Sequence, residues 1–458
     1  MEGRVPELQG RRVLVVGFAR SGLASTNLLL RKDAKVTVTD LRVQEAFQGQ
    51  IEGLSGPVQM VFGRHQQQDF MEADLIVTSP GVPSRQGLLQ QAAEAGIPIW
   101  SEVELAYRFL KGSFIGVTGT NGKTTTTALT GALFERAGVS HAVAGNIGTP
   151  LTGLVDQGSD DRVFIVELSS FQLETIQSFR CSIALVLNLT PDHLDRHQSF
   201  EQYVQAKRRI LLNQTAEDFA VLNADDPNSK AMGEHCAARV FLFSERQSLH
   251  EGVSVEEGQI WIRWEGSEYL VMPVEEIRMP GRHNLQNVLA AVASGFLKGL
   301  DPILMAQVFR NFAGVEHRLE EIGSRAGVRF YNDSKATNVE AAARALEALE
   351  GPLIVIMGGR DKGADFGEVK HLMKDKVKLL VLLGEARSKI RGALQDRVET
   401  LDARDMAEAV ALASDGAQPG DTVLLAPACA SFDMFDDFEH RGRAFKEAVA
   451  QMGLEERA

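Results

Sequence analysis

Residues 118–127 read T-G-T-N-G-K-T-T-T-T. An apolar run, 114–117, precedes them, and a stretch with helical character, 125–137, follows. Strand, glycine turn and helix, in that order, form the layout in which backbone N–H groups and a lysine hold nucleotide phosphates. Gly119 and Gly122 let the backbone come close to a phosphate, where a Cβ would intrude. Lys123 is placed to reach the β- and γ-phosphates, and the Thr124 hydroxyl to sit on Mg2+. Only Thr120 and Asn121 separate the two glycines, so the loop is shorter than the usual phosphate loop. A bare glycine turn before a helix is common. The Lys-Thr at the helix start and the strand before the turn are what point to phosphate.

Working outward, 458 residues at roughly 150 per domain predict three domains, with boundaries expected at 1–101, 102–314 and 315–458. With 44% hydrophobic and 24% charged residues, the composition is that of a folded globular protein. A net charge of −13 argues against nucleic acid or an anionic membrane as the main partner. Anionic ligands then need local cationic clusters, and Lys123, Lys335 and Lys362 are the lysines to watch. Cys181, Cys236 and Cys429 lie far apart with no C-x-x-C pair, which fits a reducing compartment and no cysteine zinc site. No long apolar run precedes the first glycine turn, and no run is long enough to span a bilayer. The expectation is a cytoplasmic, soluble monomer acting on small molecules.

The fold class expected is α/β, in three successive nucleotide-style units. Residues 13–16 read as a buried strand leading into the glycine turn 17–22 and a helix to about residue 30. A second strand, 36–39, ends on Asp40, about twenty residues after the turn, where a doubly wound fold places an acid for a ribose hydroxyl. Ala19 and Ser21 interrupt the dinucleotide pattern, which weakens a nicotinamide reading. A further strand, 75–78, runs into the turn Ser79-Pro80-Gly81. In the second unit, 162–166 leads into E-L-S-S-F-Q-L-E (167–174), and 182–189 into T-P-D-H-L-D-R-H (190–197). Strand-like pieces around Trp261 and Trp264, within 241–274, carry no chemical signature. The third unit alternates strands at 328–331, 353–357, 379–383 and 422–425 with helices such as 339–349, which implies a parallel sheet. Its polar strings N-D-S-K-A-T-N (332–338), G-G-R-D-K-G (358–363) and P-A-C-A-S-F-D (427–433) all follow strand ends, where such sheets bind ligands.

Each chemical reading competes with a bland one. Glu167 ends an apolar strand, where phosphate-loop enzymes place an acid beside Mg2+; the alternative is a carboxylate favoured by the next helix's dipole. His193 sits among Asp192, Asp195 and His197 in what reads as a metal loop of unsettled type, with Mg2+ favoured over zinc by the lack of cysteines. His197 itself reads as a surface or supporting residue. Lys207, on an amphipathic stretch 203–210, reads by composition as a solvated face residue. Arg318, in E-H-R-L-E, reads equally as an ordinary surface ion pair. Lys362 is flanked by glycine and exposed at a strand end.

Taken together, these motifs resemble the Mur ligase family of peptidoglycan precursor synthesis, over essentially the whole chain and in the family's order. E-L-S-S-F-Q-L-E, N-D-S-K-A-T-N and P-A-C-A-S-F-D resemble those members that add D-glutamate to UDP-N-acetylmuramoyl-L-alanine. The resemblance implies a Rossmann-like N-terminal domain, a central phosphate-loop ATPase-like domain and a Rossmann-like C-terminal domain. It implies ATP and two Mg2+ ions as the cofactors. Gly119, Thr120, Asn121, Gly122, Lys123, Thr124 and Thr125 would hold ATP, with Asn284, Asn287, Arg318 and Asp333 as further ATP-side contacts. Thr124 and Glu167 would hold one Mg2+, and His193 with a carbamate form of Lys207 the other, which overturns the composition reading of Lys207. Lys123, Glu167, His193 and Lys207 are thus the expected catalytic set. Ser21, Asp40, Arg42, Ser79, Asn146 and His193 would contact the UDP-substrate, with Leu41 standing where a small hydroxyl residue is common. Lys335, Thr337, Lys362, Ser431 and Phe438 would form the D-glutamate pocket.

The chemistry implied is transfer of the ATP γ-phosphoryl group to the L-alanine carboxylate, then attack by the D-glutamate amine. A folylpolyglutamate synthase-like ligase shares the loop and the glutamate, but leaves the 17–40 unit without a purpose. A nicotinamide oxidoreductase leaves Lys123, Glu167 and the third unit unexplained. A nucleotide-switch protein would turn over ATP without any dependence on an amino acid.

Overall fold

The computed structural model describes residues 6–82, 87–146, 148–279, 281–361 and 363–453. They fall into two compact units, Met1–Glu276 with Gln286–Arg310, and Ile277–Leu285 with Asn311–Ala458.

The first unit holds two sheets. Strands β1 (Arg12–Val16), β2 (Lys35–Asp40), β3 (Gln59–Phe62), β4 (Leu75–Thr78) and β5 (Ile99–Ser101) form an all-parallel sheet in the order β3-β2-β1-β4-β5. This is a doubly wound order, and it reverses direction at β1, where such sheets open their ligand crevice. Val13 to Val16 are all buried because helices cover both faces, so β1 reads as a continuous apolar run rather than an alternation. The helix Arg20–Arg31 follows the glycine turn without any side-chain cap.

The second sheet has nine strands: β6 (Ser113–Thr118), β7 (His141–Gly145), β8 (Val163–Glu167), β9 (Ile183–Val186), β10 (Phe219–Asn223), β11 (Arg239–Ser244), β12 (Gly252–Glu256), β13 (Gln259–Trp264) and β14 (Ser267–Pro273). They run in the order β14-β13-β12-β11-β10-β9-β6-β8-β7. The strands from β7 to β12 are parallel, whereas β12, β13 and β14 pair antiparallel. Two tight turns join the antiparallel strands, Glu257-Gly258 and Glu265-Gly266, and all four residues have positive φ. That geometry is a type I′ hairpin turn, whose twist matches its strands. The strand-like pieces at 241–274 are therefore an antiparallel extension of a parallel sheet. Packing between the sheets is continuous: Phe18, Leu28, Trp100, Val103, Phe114 and Phe164 belong to one buried cluster.

The second unit carries β15 (Glu320–Arg325), β16 (Val328–Asn332), β17 (Leu353–Gly358), β18 (Val377–Leu383), β19 (Glu399–Asp402) and β20 (Thr422–Leu425), in the order β15-β16-β20-β17-β18-β19. All neighbours are parallel except the edge strand β15, which forms a hairpin with β16. Both faces are covered. Val355, Met357, Leu380 and Leu382 pack into one cluster, and Ile354, Ile356, Val381 and Leu383 into another. No helix among the described residues is long and apolar enough to cross a membrane.

Candidate active site

Strand β6 lies between β8 and β9, with Val117 opposite Glu167 and Thr118 opposite Val186. The segments after these three strands therefore leave the sheet side by side. The loop after β6 turns at Gly119 (φ 151°) and Gly122 (φ 84°), and the helix Lys123–Arg136 starts there. A Cβ on Gly122 would sit 2.2 Å from Asn287 Oδ1, and its φ is one that other residues rarely adopt, so the position favours glycine on both counts. Asn188, just beyond β9, pins the loop from below: its Oδ1 accepts the Asn121 N–H at 2.9 Å and its Nδ2 donates to Asn121 O at 3.1 Å. The Thr120 hydroxyl contacts Thr190 O at 3.1 Å and the Tyr203 hydroxyl at 3.0 Å. Lys123 Nζ donates to Gly119 O at 2.8 Å and Thr120 O at 2.7 Å.

Lys207 is fully buried rather than solvated, at 1% exposure. Its Nζ donates to Gly119 O at 2.8 Å, the same carbonyl that Lys123 uses. Burial first, and then the neighbouring charge of Lys123, push its amine well below the usual lysine range; Asp192 and Glu167 oppose this without cancelling it. Removing the Lys207 proton is thus easier than for an exposed lysine. Glu167 is also buried, and its Oε1 accepts from Asn146 Nδ2 at 2.9 Å. Ser169, two residues on, caps the helix Ser170–Leu173 in a reciprocal capping box with Gln172, which is why the S-S-F-Q string folds as it does.

His193 is backbone-strained (φ 53°) and half-exposed, with its ring edge-on to Phe171 at 4.9 Å. His197 is not a surface residue: it is 3% exposed and bonds the Ser170 hydroxyl at 2.9 Å. Burial lowers its basicity, with smaller contributions from Arg196, His193 and Lys207 against the opposing pull of Glu174.

In the first sheet, Asp40 accepts the Phe18 N–H at 2.9 Å and the Arg42 N–H at 3.0 Å. Burial pushes its carboxyl up, but these two N–H groups and the Arg42 guanidinium outweigh it and hold the group below the usual carboxylate range. Ser79 Oγ donates to Gly17 O at 2.9 Å, so the β4 turn and the β1 turn are tied together. Ser21 lies in the first turn of the helix that follows. Arg42 covers the Phe47 ring at 4.4 Å, and Leu41 beside it is 66% exposed.

In the second unit the three polar strings do meet. Arg360 and Ala430 exchange backbone hydrogen bonds at 2.9 and 3.1 Å, joining the segments after β17 and β20. Arg441, 1% exposed, joins the segment after β16 to the same place: its Nη2 donates to Ser334 O at 2.8 Å and its Nη1 to Cys429 O at 3.1 Å. Burial lowers this guanidinium to about 10. Lys335 Nζ lies over the Phe438 ring at 4.6 Å, and Thr337 N–H bonds Lys335 O at 2.8 Å. Ser431 is buried at 2%. Asp333 is buried and accepts the Leu319 N–H at 3.2 Å. Burial raises it to about 6 despite the charges of Arg318 and Lys335. Arg318 is half-buried with its charge bearing on Asp333, not in a surface ion pair. Lys362 lies outside the described residues.

Family models match all three sheets: a Mur ligase MurD-like N-terminal domain over residues 11–101, a Mur ligase middle domain over 117–295, and a Mur ligase glutamate ligase domain over 317–429. The chain belongs to the Mur ligase family. This Mur ligase is 47% identical to the UDP-N-acetylmuramoylalanine–D-glutamate ligase of Acidobacterium capsulatum, over 97% of each chain. It is 44% identical to the enzyme of that name from Geotalea daltonii, over 97% of this chain and 98% of the other. Among solved structures it superimposes on the pseudomurein peptide ligase type C of Methanothermus fervidus (TM-score 0.60, 18% identity, 97% of this chain and 100% of the other). The UDP-N-acetylmuramate-alanine ligase of Thermotoga maritima fits equally well (TM-score 0.60, 19% identity, 96% and 100%). At those identities the structures establish the shared architecture of three α/β domains.

The residues of this Mur ligase fit a nucleotide triphosphate and a hard cation. Gly119 and Gly122 open the loop, and the buried Asn121 Nδ2 and Thr125 Oγ1 make no hydrogen bond among the described residues. Thr124 and Glu167 offer the oxygen donors that Mg2+ prefers. His193 and an unmodified Lys207 offer nitrogen, so a second Mg2+ fits only if Lys207 is carbamylated. A separate group, Glu316, His317 and Glu320, brings three ligand atoms within 4.8 Å of one another. Lys446 already bonds both of those glutamates, at 3.0 and 2.7 Å. A cavity of about 690 Å3 on the far side of the Lys207 helix, lined by Gln202, Gln205, Arg208 and Cys236, contains none of the expected site residues. Reading residues by motif missed the roles of Asn188, Tyr203, Arg196 and Arg441. All four act through backbone groups or neighbouring side chains; Arg196 stood inside the 190–197 string, Asn188 just before it and Tyr203 at the head of 203–210, whereas Arg441 lay outside every string.

Proposed function

We propose that this chain is an ATP-dependent ligase that joins D-glutamate to UDP-N-acetylmuramoyl-L-alanine in peptidoglycan precursor synthesis. End-to-end similarity to relatives named for that activity carries the reading, and the pair of lysines on the Gly119 carbonyl, Lys207 buried and Lys123 half-buried, gives it a chemical basis. The roles divide along the chain, with domain boundaries at 1–101, 102–314 and 315–458. Ser21, Asp40, Arg42, Ser79, Asn146 and His193 hold the sugar nucleotide. Gly119 to Thr125 hold the ATP phosphates, with Asn284, Asn287, Arg318 and Asp333 as further ATP contacts. Lys335, Thr337, Lys362, Ser431 and Phe438 receive D-glutamate, whose two carboxylates call for cations and hydroxyls.

A carboxylate is a poor electrophile, so amide formation needs activation. An oxygen of the L-alanine carboxylate attacks the γ-phosphorus, the bond to the β-phosphate oxygen breaks, and ADP leaves. Lys123 swings its ammonium from the loop carbonyls onto the transferring phosphoryl oxygens, where charge builds up. The neutral amine of D-glutamate then attacks the acyl carbon, and phosphate departs with one oxygen of the former carboxylate. Mg2+, when bound, neutralises phosphate charge, with Thr124 and Glu167 as its holders. Lys207 supports a second ion as a carbamate: its neutral amine adds CO2 and releases a proton, turning a nitrogen donor into an anionic oxygen donor.

The test measures ADP release with each substrate omitted in turn. Turnover should need the muramoyl substrate and D-glutamate together. Equal release with L-glutamate, or with no amino acid, contradicts the reading.

A further inference from the structure

Arg196 has no part in the roles assigned above, yet its side chain is only 12% exposed. Its guanidinium donates to Pro80 O at 3.1 Å and to Val82 O at 2.6 Å, both in the turn after β4. That turn is closed by the Val82 N–H bonding Ser79 O at 3.0 Å, and Ser79 in turn holds Gly17 O. On its other side the Arg196 guanidinium carbon lies over Phe171, 3.8 Å from the ring centroid. Phe171 is the same ring that meets His193 edge-on at 4.9 Å and stacks with His197 at 5.4 Å. Glu174 completes the set, with Oε2 at 3.8 Å from Arg196 and Oε1 at 3.4 Å from His197 Nδ1.

Two close bonds of Arg196 go to carbonyls of a turn belonging to a different sheet. A planar fork with several donors can span carbonyls two residues apart while one face rests on an aromatic ring; a lysine, a point charge on a flexible stem, cannot. One side chain therefore fixes the position of the Ser79 turn relative to the Phe171–His193 platform. Ser79 follows a strand of the first sheet and His193 a strand of the second, and both are assigned above to the UDP-substrate.

The geometry points to Arg196 as a positioning residue for the sugar nucleotide, setting the spacing between Ser79 and His193 without contacting the phosphates. This rests on the ligase reading above. Arg196→Lys and Arg196→Gln should raise KM for UDP-N-acetylmuramoyl-L-alanine about tenfold or more, the scale of one lost charge-assisted hydrogen bond. KM for ATP and for D-glutamate should change less than about twofold. Methylguanidine added to Arg196→Ala should recover part of the sugar-nucleotide affinity. Equal increases in all three KM values, a fall in kcat alone, no change, or loss of the folded circular dichroism spectrum in Arg196→Lys each overturn the proposal. Wild-type enzyme run alongside separates the two readings. Absence of D-glutamate-dependent turnover in wild type contradicts the ligase reading, whereas normal wild-type turnover with unselective losses in the variants contradicts the role of Arg196 alone.

Discussion

Asp333 shows how burial of a single carboxyl costs stability. Its folded-state value of about 6 lies above the ordinary 3.8, so ionising it in place is unfavourable. The unfolded chain releases its proton first as pH rises. The penalty therefore begins near pH 4, grows to pH 6, and is complete above that, at about 3 kcal/mol for a shift of about two units. Asp333→Asn removes the charge, and its amide oxygen can still accept the Leu319 N–H. Urea denaturation should find the variant more stable by about 1–3 kcal/mol at pH 8, with the gap closing as pH falls towards 4. ADP formation should fall sharply at the same time. Equal stability of the two proteins at pH 8 contradicts the burial argument. Lys207 is the opposite case for reading a sequence. An amphipathic pattern shows that one helix face is buried, but not that a lysine on it sits beneath the phosphate loop; that follows from the packing of β6 against its neighbours.

At the scale of elements, the glycine loop was the most legible part of the chain, because the strand before it, its two glycines and the Lys-Thr pair each impose a separate constraint. Gly122→Ala tests it. The residue has φ 84° and a Cβ would meet Asn287 Oδ1 at 2.2 Å, so both strain and collision oppose the change. The expected result is at least a tenfold rise in KM for ATP, together with about 1–3 kcal/mol of lost stability. Gly138→Ala is the control: its φ is 67° but its Cβ would meet open space, so it should lose a little stability and no ATP affinity. Similar KM values for both variants contradict the close-packed loop. Other elements left weaker traces. The hairpins β12–β13 and β13–β14 turn on Glu-Gly, not the stronger Asn-Gly signal, so their strands were visible and their antiparallel pairing was not. Strands β15 and β19 are short, polar edges with no apolar run to announce them.

For the whole molecule, strand–helix alternation and a handful of strings sufficed to place three sheets, because parallel sheets put their ligand loops at strand ends whatever the sequence between. What stayed illegible was long-range: Arg441 drawing the Ser334 and Cys429 segments together, Arg196 reaching the Pro80 turn, and Asn188 gripping Asn121. Each spans a sequence distance that no local pattern records. A net charge of −13 belongs to this scale too, since it leaves recognition of anionic substrates to a few lysines and arginines at the loops. In the proposed reaction, phosphate moves to the substrate's carboxylate before the amide forms. That order is tested most directly with UDP-N-acetylmuramoyl-L-alanine labelled with 18O in the alanine carboxylate, followed by mass spectrometry of the released phosphate. Activation through an acyl phosphate predicts one 18O in each phosphate formed and one left in the amide product. Unlabelled phosphate, with ADP and amide still produced, would contradict it.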